Sequence, residues 1–269
     1  MFSLILMKQD LPFYKYQGTG NDFVLIDGFR EAFPYEDLEL VQALCDRRMG
    51  IGADGLIVIR PVAGYDFEMV YYNADGSQSM CGNGARCAVA FAHFCGHIQE
   101  STSFLAIDGP HEAHYSPEAV RLKMGEISTI TGADSDFFVH TGSPHHVCFV
   151  PEVASFPVVE KGREIRYADH YAPAGTNVNF VQEMGPDRLF VRTYERGVED
   201  ETLSCGTGVT AAALVFGQQK AVNQVHIHTK GGNLHVSYDW DAERGTFREV
   251  WLTGPAHQVF RGEIKRGKD

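Results

Sequence analysis

The sequence predicts an α/β (α+β) protein in two similar halves, each a set of mainly antiparallel strands around one buried helix. Three observations carry this. Short stretches alternating apolar with polar residues recur along the whole chain. Helix candidates are few, and two of the three are apolar nearly all round. A cysteine followed by glycine opens each of those two, at Cys81 and Cys205, 124 residues apart.

The strand candidates are "FVLID" (23–27), "LIVIR" (56–60), "FEMVYY" (67–72), "AVRLKM" (119–124), "HHVCFV" (145–150), "NVNFVQ" (177–182) and "RLFVRTY" (188–194). "QVHIHT", "NLHVSYDW", "TFREVWLTG" and "HQVFRGEI" follow in the tail. Most have the period of two expected of half-buried strands. The helix candidates are residues 35–48, 84–96 and 208–220. A helix apolar on all sides belongs in an interior. The polar, turn-rich stretch "GEISTITGADSDF" (125–137) reads as the linker. We expect an N-terminal half over 1–128 and a C-terminal half over 129–269, with the last strand, about 257–266, a candidate to return to the first half.

Composition narrows the function. Apolar content of 44% and charged content of 22% are those of an ordinary globular chain. A net charge of −12 suits neither a phosphate backbone nor nucleic acid generally. No apolar run is long enough for a helical membrane span. "MFSLILM" lacks a basic flank and a cleavage site, so it is not read as a signal peptide; Met7 is an alternative start, with residues 1–6 a short extension. The six cysteines are therefore expected in a reducing, cytoplasmic setting, as buried apolar residues or reactive thiols.

A helix N-terminus carries unpaired N–H groups and partial positive charge. A thiol placed there is pushed toward thiolate, and the same N–H groups can hold a carboxylate. Singly, Cys81 and Cys205 would read as small buried hydrophobes. As a matched pair, two such thiols can act on one carbon: a base takes a proton from one face and an acid returns one to the other. Helix-mouth donors would stabilise the charge developing on the carboxylate. Cys45, Cys87, Cys95 and Cys148 lie in apolar periodic stretches and read as packing residues. Cys81-x5-Cys87-x7-Cys95 lacks the short ligand pairs of a structural zinc site, and the pairs His93/His97 and His226/His228 are expected coincidences among twelve histidines, so no metal is expected. "GTGNDF" and "CGNGAR" match no phosphate-loop pattern.

"GTGNDFVLIDG" (18–28), "RRMGIGADGL" (47–56), "YYNADGSQSMCGNGARC" (71–87), "GTNVNFV" (175–181) and "YERGVEDETLSCGTG" (194–208) together resemble the diaminopimelate epimerases, in order and across most of the chain. The resemblance implies two α/β halves with the site in a cleft between them. It also implies interconversion of L,L- and meso-diaminopimelate without pyridoxal phosphate, other cofactor or metal, feeding lysine and peptidoglycan synthesis, by a homodimer. Matched position by position, Cys81 and Cys205 are the acid/base thiols, and His145 and Glu195 their polar partners. Asn21, Asn73, Asn83, Ser143, Asn177, Glu195 and Arg196 bind substrate, and Gly82, Asn83, Gly206 and Thr207 offer backbone N–H groups. Arg196 suits the distal carboxylate, which a guanidinium grips in a planar fork.

Three positions depart from the family. Ser143 stands where many members have Asn, Gly55 where some have Gln, and the loop from Glu195 to Cys205 is one residue longer, leaving open which of Glu199, Asp200 or Glu201 turns inward. Rival readings are a proline or hydroxyproline racemase, a non-catalytic binding protein, and a thiol redox protein using Cys81 and Cys205. On the residues alone, Asn21 and Asn73 also read as turn caps.

Overall fold

A computed structural model describes residues 10–34 and 36–265; the N-terminal extension and the alternative start at Met7 lie outside them. The chain divides into two compact units. The first holds the chain through Leu122 and again from Pro255; the second is continuous from Lys123 to Gly254.

In the first unit, β1 (Leu11–Gly18) and β2 (Asn21–Asp27) form an antiparallel hairpin. Its two turn residues, Thr19 and Gly20, have φ of 48° and 93°, the handedness that matches strand twist. The chain then crosses over through α1 (Leu38–Cys45) to β3 (Gly55–Arg60), parallel to β2. Asp37 caps α1 by accepting from Leu40 N–H. β4 (Phe67–Asn73) runs antiparallel to β3. A second crossover, α2 (Gly82–Cys95), leads to β5 (Ser101–Ala106), parallel to β4. β6 (Gly109–Tyr115) and β7 (Val120–Lys123) close an antiparallel meander.

The second unit repeats this order. After β8 (Ile130–Ala133), β9 (Asp136–His140) and β10 (Pro144–Phe149) form the hairpin. Next, α3 (Val158–Arg166) leads to β11 (Asn177–Gly185), parallel to β10. β12 (Arg188–Glu195) is antiparallel to β11 and carries the short β13 (Asp200–Thr202). Then α4 (Gly206–Lys220) leads to β14 (Gln224–Thr229), parallel to β12. β15 (Gly232–Asp241) and β16 (Thr246–Gly254) complete the meander. The last strand, β17 (His257–Ile264), belongs to the first unit, pairing antiparallel with β1.

Each long helix is the centre of its own unit. α2 packs on β1, β2, β3, β4, β6 and β17, and α4 on β9–β12 and β14–β16. Residues Val209–Gly217 of α4 are all buried, as a helix apolar on every side requires. Phe91 and Phe216 have no exposed surface. Removing such a side chain from water contributes about 1.5–3 kcal/mol.

The division falls at Leu122/Lys123, earlier than the expected 128/129. Hydrogen bonds explain the difference. Met124 N–H donates to the Val250 carbonyl at 2.8 Å, and Ile127 bridges Phe247, so the start of the linker is tied into the second unit.

Candidate active site

In the first unit, Cys81 is the N-cap of α2. Its backbone is extended (φ −132°, ψ 113°), and its Sγ accepts from Gly84 N–H at 3.4 Å. Asn83, two residues on, is buried and gathers the surrounding loops. Its Nδ2 donates to Asn21 Oδ1 at 2.5 Å, and its Oδ1 accepts from Arg86 Nη2 at 2.9 Å. Arg86 Nη2 also donates to the Thr19 hydroxyl at 3.0 Å. Asn21 donates in turn to Asp54 Oδ2 at 2.8 Å. Arg47 then clamps Asp22 at 2.7 Å and Asp54 at 2.6 Å. The hairpin turn, the α1–β3 loop and the mouth of α2 are thus one hydrogen-bonded assembly. Asn73 sits apart from it: its Nδ2 donates to Ser77 and Ser79, and its Oδ1 accepts from Tyr71 OH at 2.8 Å.

Arg86 is the feature that sequence reasoning missed. It is completely buried, and its Nε and Nη1 have no hydrogen-bond partner. Burying an ion costs several kcal/mol, while a hydrogen bond to a charged group returns about 1.5–3. The two bonds made by Nη2 offset part of that cost and leave the other two nitrogens without partners. The guanidinium adds positive charge beneath the helix mouth that carries Cys81.

In the second unit, Cys205 is the N-cap of α4, again extended (φ −116°, ψ 112°). Its Sγ lies 3.5 Å from the Thr207 hydroxyl, which lies 2.9 Å from His145 Nε2. Asn179 Nδ2 lies 3.1 Å from His145 Nδ1 and donates to the His146 carbonyl at 3.0 Å. Asn179 Oδ1 accepts from the Thr193 hydroxyl at 2.9 Å. These partners fix the amide orientation, so His145 Nδ1 accepts and Nε2 carries the proton. Burial, reinforced by the charges of His140 and Arg196, pushes His145 down to about 3, and the ring is neutral. Thr141 donates to the Thr207 carbonyl at 2.8 Å and fixes the turn.

Asn177 Nδ2 donates to Ser143 Oγ at 3.0 Å and to the Pro144 carbonyl at 2.9 Å, while its Oδ1 accepts from Arg196 N–H at 2.8 Å. Ser143 therefore holds Asn177. The Arg196 guanidinium reaches the Ala174 carbonyl at 3.5 Å. Glu195, partly buried, ends β12 next to it. In the longer loop, Glu199 (φ 60°) takes Arg166 at 3.0 Å and Tyr167 OH at 2.8 Å. Burial works against its ionisation, but the Gly197 N–H and Arg166 outweigh it and hold the carboxyl at about 2. Glu201 forks onto Arg192, with both contacts at 2.7 Å. Asp200 is exposed. The two glutamates are thus both engaged by arginines.

The repeated element order makes the units comparable position by position. Phe23 pairs with Gly55 where His145 pairs with Asn177. Two residues on, Ile57 stands where Asn179 stands. Five residues past each thiol come Arg86 and Thr210. One thiol therefore lies over apolar residues with a buried guanidinium; the other lies beside a neutral imidazole and an amide. Burial pushes the remaining thiols up: Cys45 to about 11, Cys95 and Cys148 to about 12, and Cys87 further still.

Among the described residues no helix is long and apolar enough to cross a membrane. Solved structures share this fold. A protein named as a phenazine biosynthesis protein of the PhzF family, from Bacillus anthracis, superposes with a TM-score of 0.75 at 10% identity, over 95% of this chain and 99% of its own. A hydroxyproline epimerase from Agrobacterium vitis does so at 0.67 and 14%, over 96% and 93%. These establish the fold. Closer in sequence, the diaminopimelate epimerase of Flavobacterium psychrophilum is 48% identical over 94% of this chain and all of its own length. That of Chlorobaculum tepidum is 42% identical over 92% and 98%. The sequence profile of the family described as "Diaminopimelate epimerase" matches residues 13–130 and 137–259, and on that match and those identities the chain belongs to the diaminopimelate epimerase family of isomerases.

Proposed function

We propose that the protein interconverts L,L- and meso-diaminopimelate by a two-thiol mechanism that needs no cofactor or metal. The observation that carries this is the duplicated placement of Cys81 and Cys205, each the extended N-cap of the central helix of its unit. One thiolate takes the α-proton: its S–H bond forms as the C–H bond breaks. The other thiol gives its proton to the opposite face: its S–H bond breaks as the new C–H bond forms. The two thiols exchange protonation states in each turnover, and solvent resets them. The charge that develops on the α-carboxylate is met by the N–H groups at the starts of α2 (Gly82, Asn83) and α4 (Gly206, Thr207), where fixed donors act most strongly.

The Thr207 hydroxyl accepts from His145 Nε2, which turns its own proton toward Cys205. His145 is thus a positioning residue, neutral throughout. Asn21, Asn73, Asn83, Asn177, Glu195 and Arg196 hold the substrate, with Arg196 on the distal carboxylate and Ser143 acting through Asn177. The resemblance further supports a cytoplasmic homodimer serving lysine and peptidoglycan synthesis.

The test is incubation of reduced, dialysed protein with L,L-diaminopimelate in heavy water. Deuterium at the α-carbon with formation of the meso isomer, abolished or severely slowed in both Cys81→Ser and Cys205→Ser, is expected. Formation of the meso isomer at an undiminished rate in either variant overturns the two-thiol mechanism. Exchange on proline alone moves the substrate assignment to the proline-racemase reading.

A further inference from the structure

Asp27, Cys95 and His97 meet at the end of α2 remote from Cys81. Their ligand atoms, a carboxylate oxygen, a thiol sulfur and a ring nitrogen, all lie within 4.8 Å of one another. We propose that they form a site for a divalent cation of the zinc class.

Three elements converge to build it. Cys95 is the last residue of α2, and Gly96 follows with φ 82°, the left-handed C-cap that glycine adopts without penalty. That turn returns the chain so that His97 N–H donates to the Ala92 carbonyl at 2.9 Å, which sets His97 beside Cys95. Asp27 arrives from the end of β2, and its Oδ1 lies 2.9 Å from His97 Nε2. The imidazole is stacked on Phe29, with ring centroids 3.9 Å apart and planes 17° apart, so its direction is fixed before any ion binds.

Independent of this convergence, Asp27 carries an unmet valence. The residue is 5% exposed, yet its Oδ2 accepts no hydrogen bond. Its nearest cationic neighbour is Arg30 Nε, at 3.4 Å, on a guanidinium 63% exposed whose Nη2 donates to the Cys95 carbonyl at 2.8 Å. A buried carboxylate oxygen without a donor costs about 1–3 kcal/mol or more, and a cation would supply the missing partner. The C-terminal end of a helix adds partial negative charge at the same place.

The donor set selects the ion. A thiolate and an imidazole favour zinc over magnesium or calcium, which prefer all-oxygen shells. Three protein ligands leave a fourth tetrahedral position for water. Donors on a tetrahedral zinc stand about 3.3–3.7 Å apart, so closure needs only small side-chain shifts. Burial and the Asp27 charge hold Cys95 as the thiol. Binding forms the metal–sulfur bond and breaks S–H, releasing one proton to solvent with no change of oxidation state.

A second cluster of the same composition, Asp136, His146 and Cys148, supplies the contrast. There the Asp136 side chain is 52% exposed. Its oxygens are already engaged by Ser135 at 2.6 Å and His146 at 3.0 Å, and the other ring nitrogen of His146 by Tyr171 OH at 2.9 Å. The sequence hides the first cluster because Asp27 lies far from Cys95 and His97 in the chain, and Cys95-x-His97 is shorter than the usual zinc-ligand spacings.

The test is titration of reduced, chelator-treated protein with cobalt(II), read by absorption. A sulfur-to-cobalt charge-transfer band with intense four-coordinate visible bands, saturating at one equivalent and displaced by zinc, is expected. Affinity should fall more than about tenfold in Cys95→Ser and in His97→Gln, and stay unchanged in Cys148→Ser and Cys81→Ser. His97→Gln, at the more exposed corner, stands in if Cys95→Ser fails to fold. Absence of the band in the unmodified protein overturns the proposal. So does a band indifferent to Cys95→Ser and His97→Gln.

Discussion

The Nε2 of His145 lies 2.9 Å from the hydroxyl of Thr207, close enough to fix which way that hydroxyl points. Because the ring nitrogen donates, the hydroxyl has one proton left, and Cys205 Sγ is 3.5 Å away to receive it. Thr207→Val keeps the shape and removes this donor. We expect kcat to fall about 10-fold or more, in line with loss of one preorganised donor, with KM little changed. Alkylation of Cys205 should also slow at neutral pH. Unchanged kcat in a folded Thr207→Val protein would remove the hydroxyl from the mechanism.

The same imidazole sets a pH dependence of stability. Its ordinary value is 6.5 and its folded value about 3, so the unfolded chain binds the extra proton between those limits. Stability is then lost as pH falls below 6.5, at up to about 1.4 kcal/mol per pH unit for one proton. His146, also lowered chiefly by burial, acts in the same direction. Urea midpoints should be flat above pH 7 and decline from 6.5 to 5. In His145→Gln that slope should be shallower but not zero. An identical slope in the two proteins refutes the assignment.

Gly208 shows where a helix rule fails. Gly-to-Ala inside a helix ordinarily stabilises by about 1 kcal/mol. A Cβ here would fall on Asn179 Oδ1, the amide that orients His145. We expect Gly208→Ala to lower the melting temperature and activity together. Gly96→Ala, whose Cβ meets open space but whose φ is 82°, should lower stability alone. A more stable, fully active Gly208→Ala protein would contradict this.

Arg86 separates stability from function. A buried guanidinium with two of its three nitrogens unpartnered carries a desolvation cost of several kcal/mol, which an apolar side chain of similar length removes. Arg86→Met should therefore hold or raise the melting temperature while activity falls at least about 10-fold, and Cys81 should react more slowly with iodoacetamide at neutral pH. Equal reactivity of Cys81 in both proteins would show the guanidinium to be structural.

These residues also show what a sequence exposes. The two helix-mouth thiols are legible because cysteine, glycine and an apolar run are adjacent in the chain. Strands with strict alternation are legible too. β5 and β6 are masked by Ser and His on their exposed faces and by a polar Thr102 on the buried one, and α3 buries only Val158 and Gly162, too few to set a period. Asn179 was within reach, since it lies two residues from Asn177 on the same strand face. Arg86 was not: a charged residue in a helix ordinarily faces water, and only the hairpin turn packed over it makes it internal. The linker's attachment to the second unit depends on pairing with β16, which no local pattern announces.

β1 is flanked by β2 on one side and β17 on the other, and Asp10 and Lys265 form an ion pair at 2.7 Å across that seam. A ribosome releases β1 first and β17 last. At 5–20 residues per second, the β17 edge of β1 waits roughly 12–50 s for its partner. The second unit, continuous in the chain, has all its strands in hand before that. The nascent protein therefore carries a folded rear half behind an unfinished front one, with an open strand edge bearing Leu11 and Phe13 as the surface a chaperone would shield.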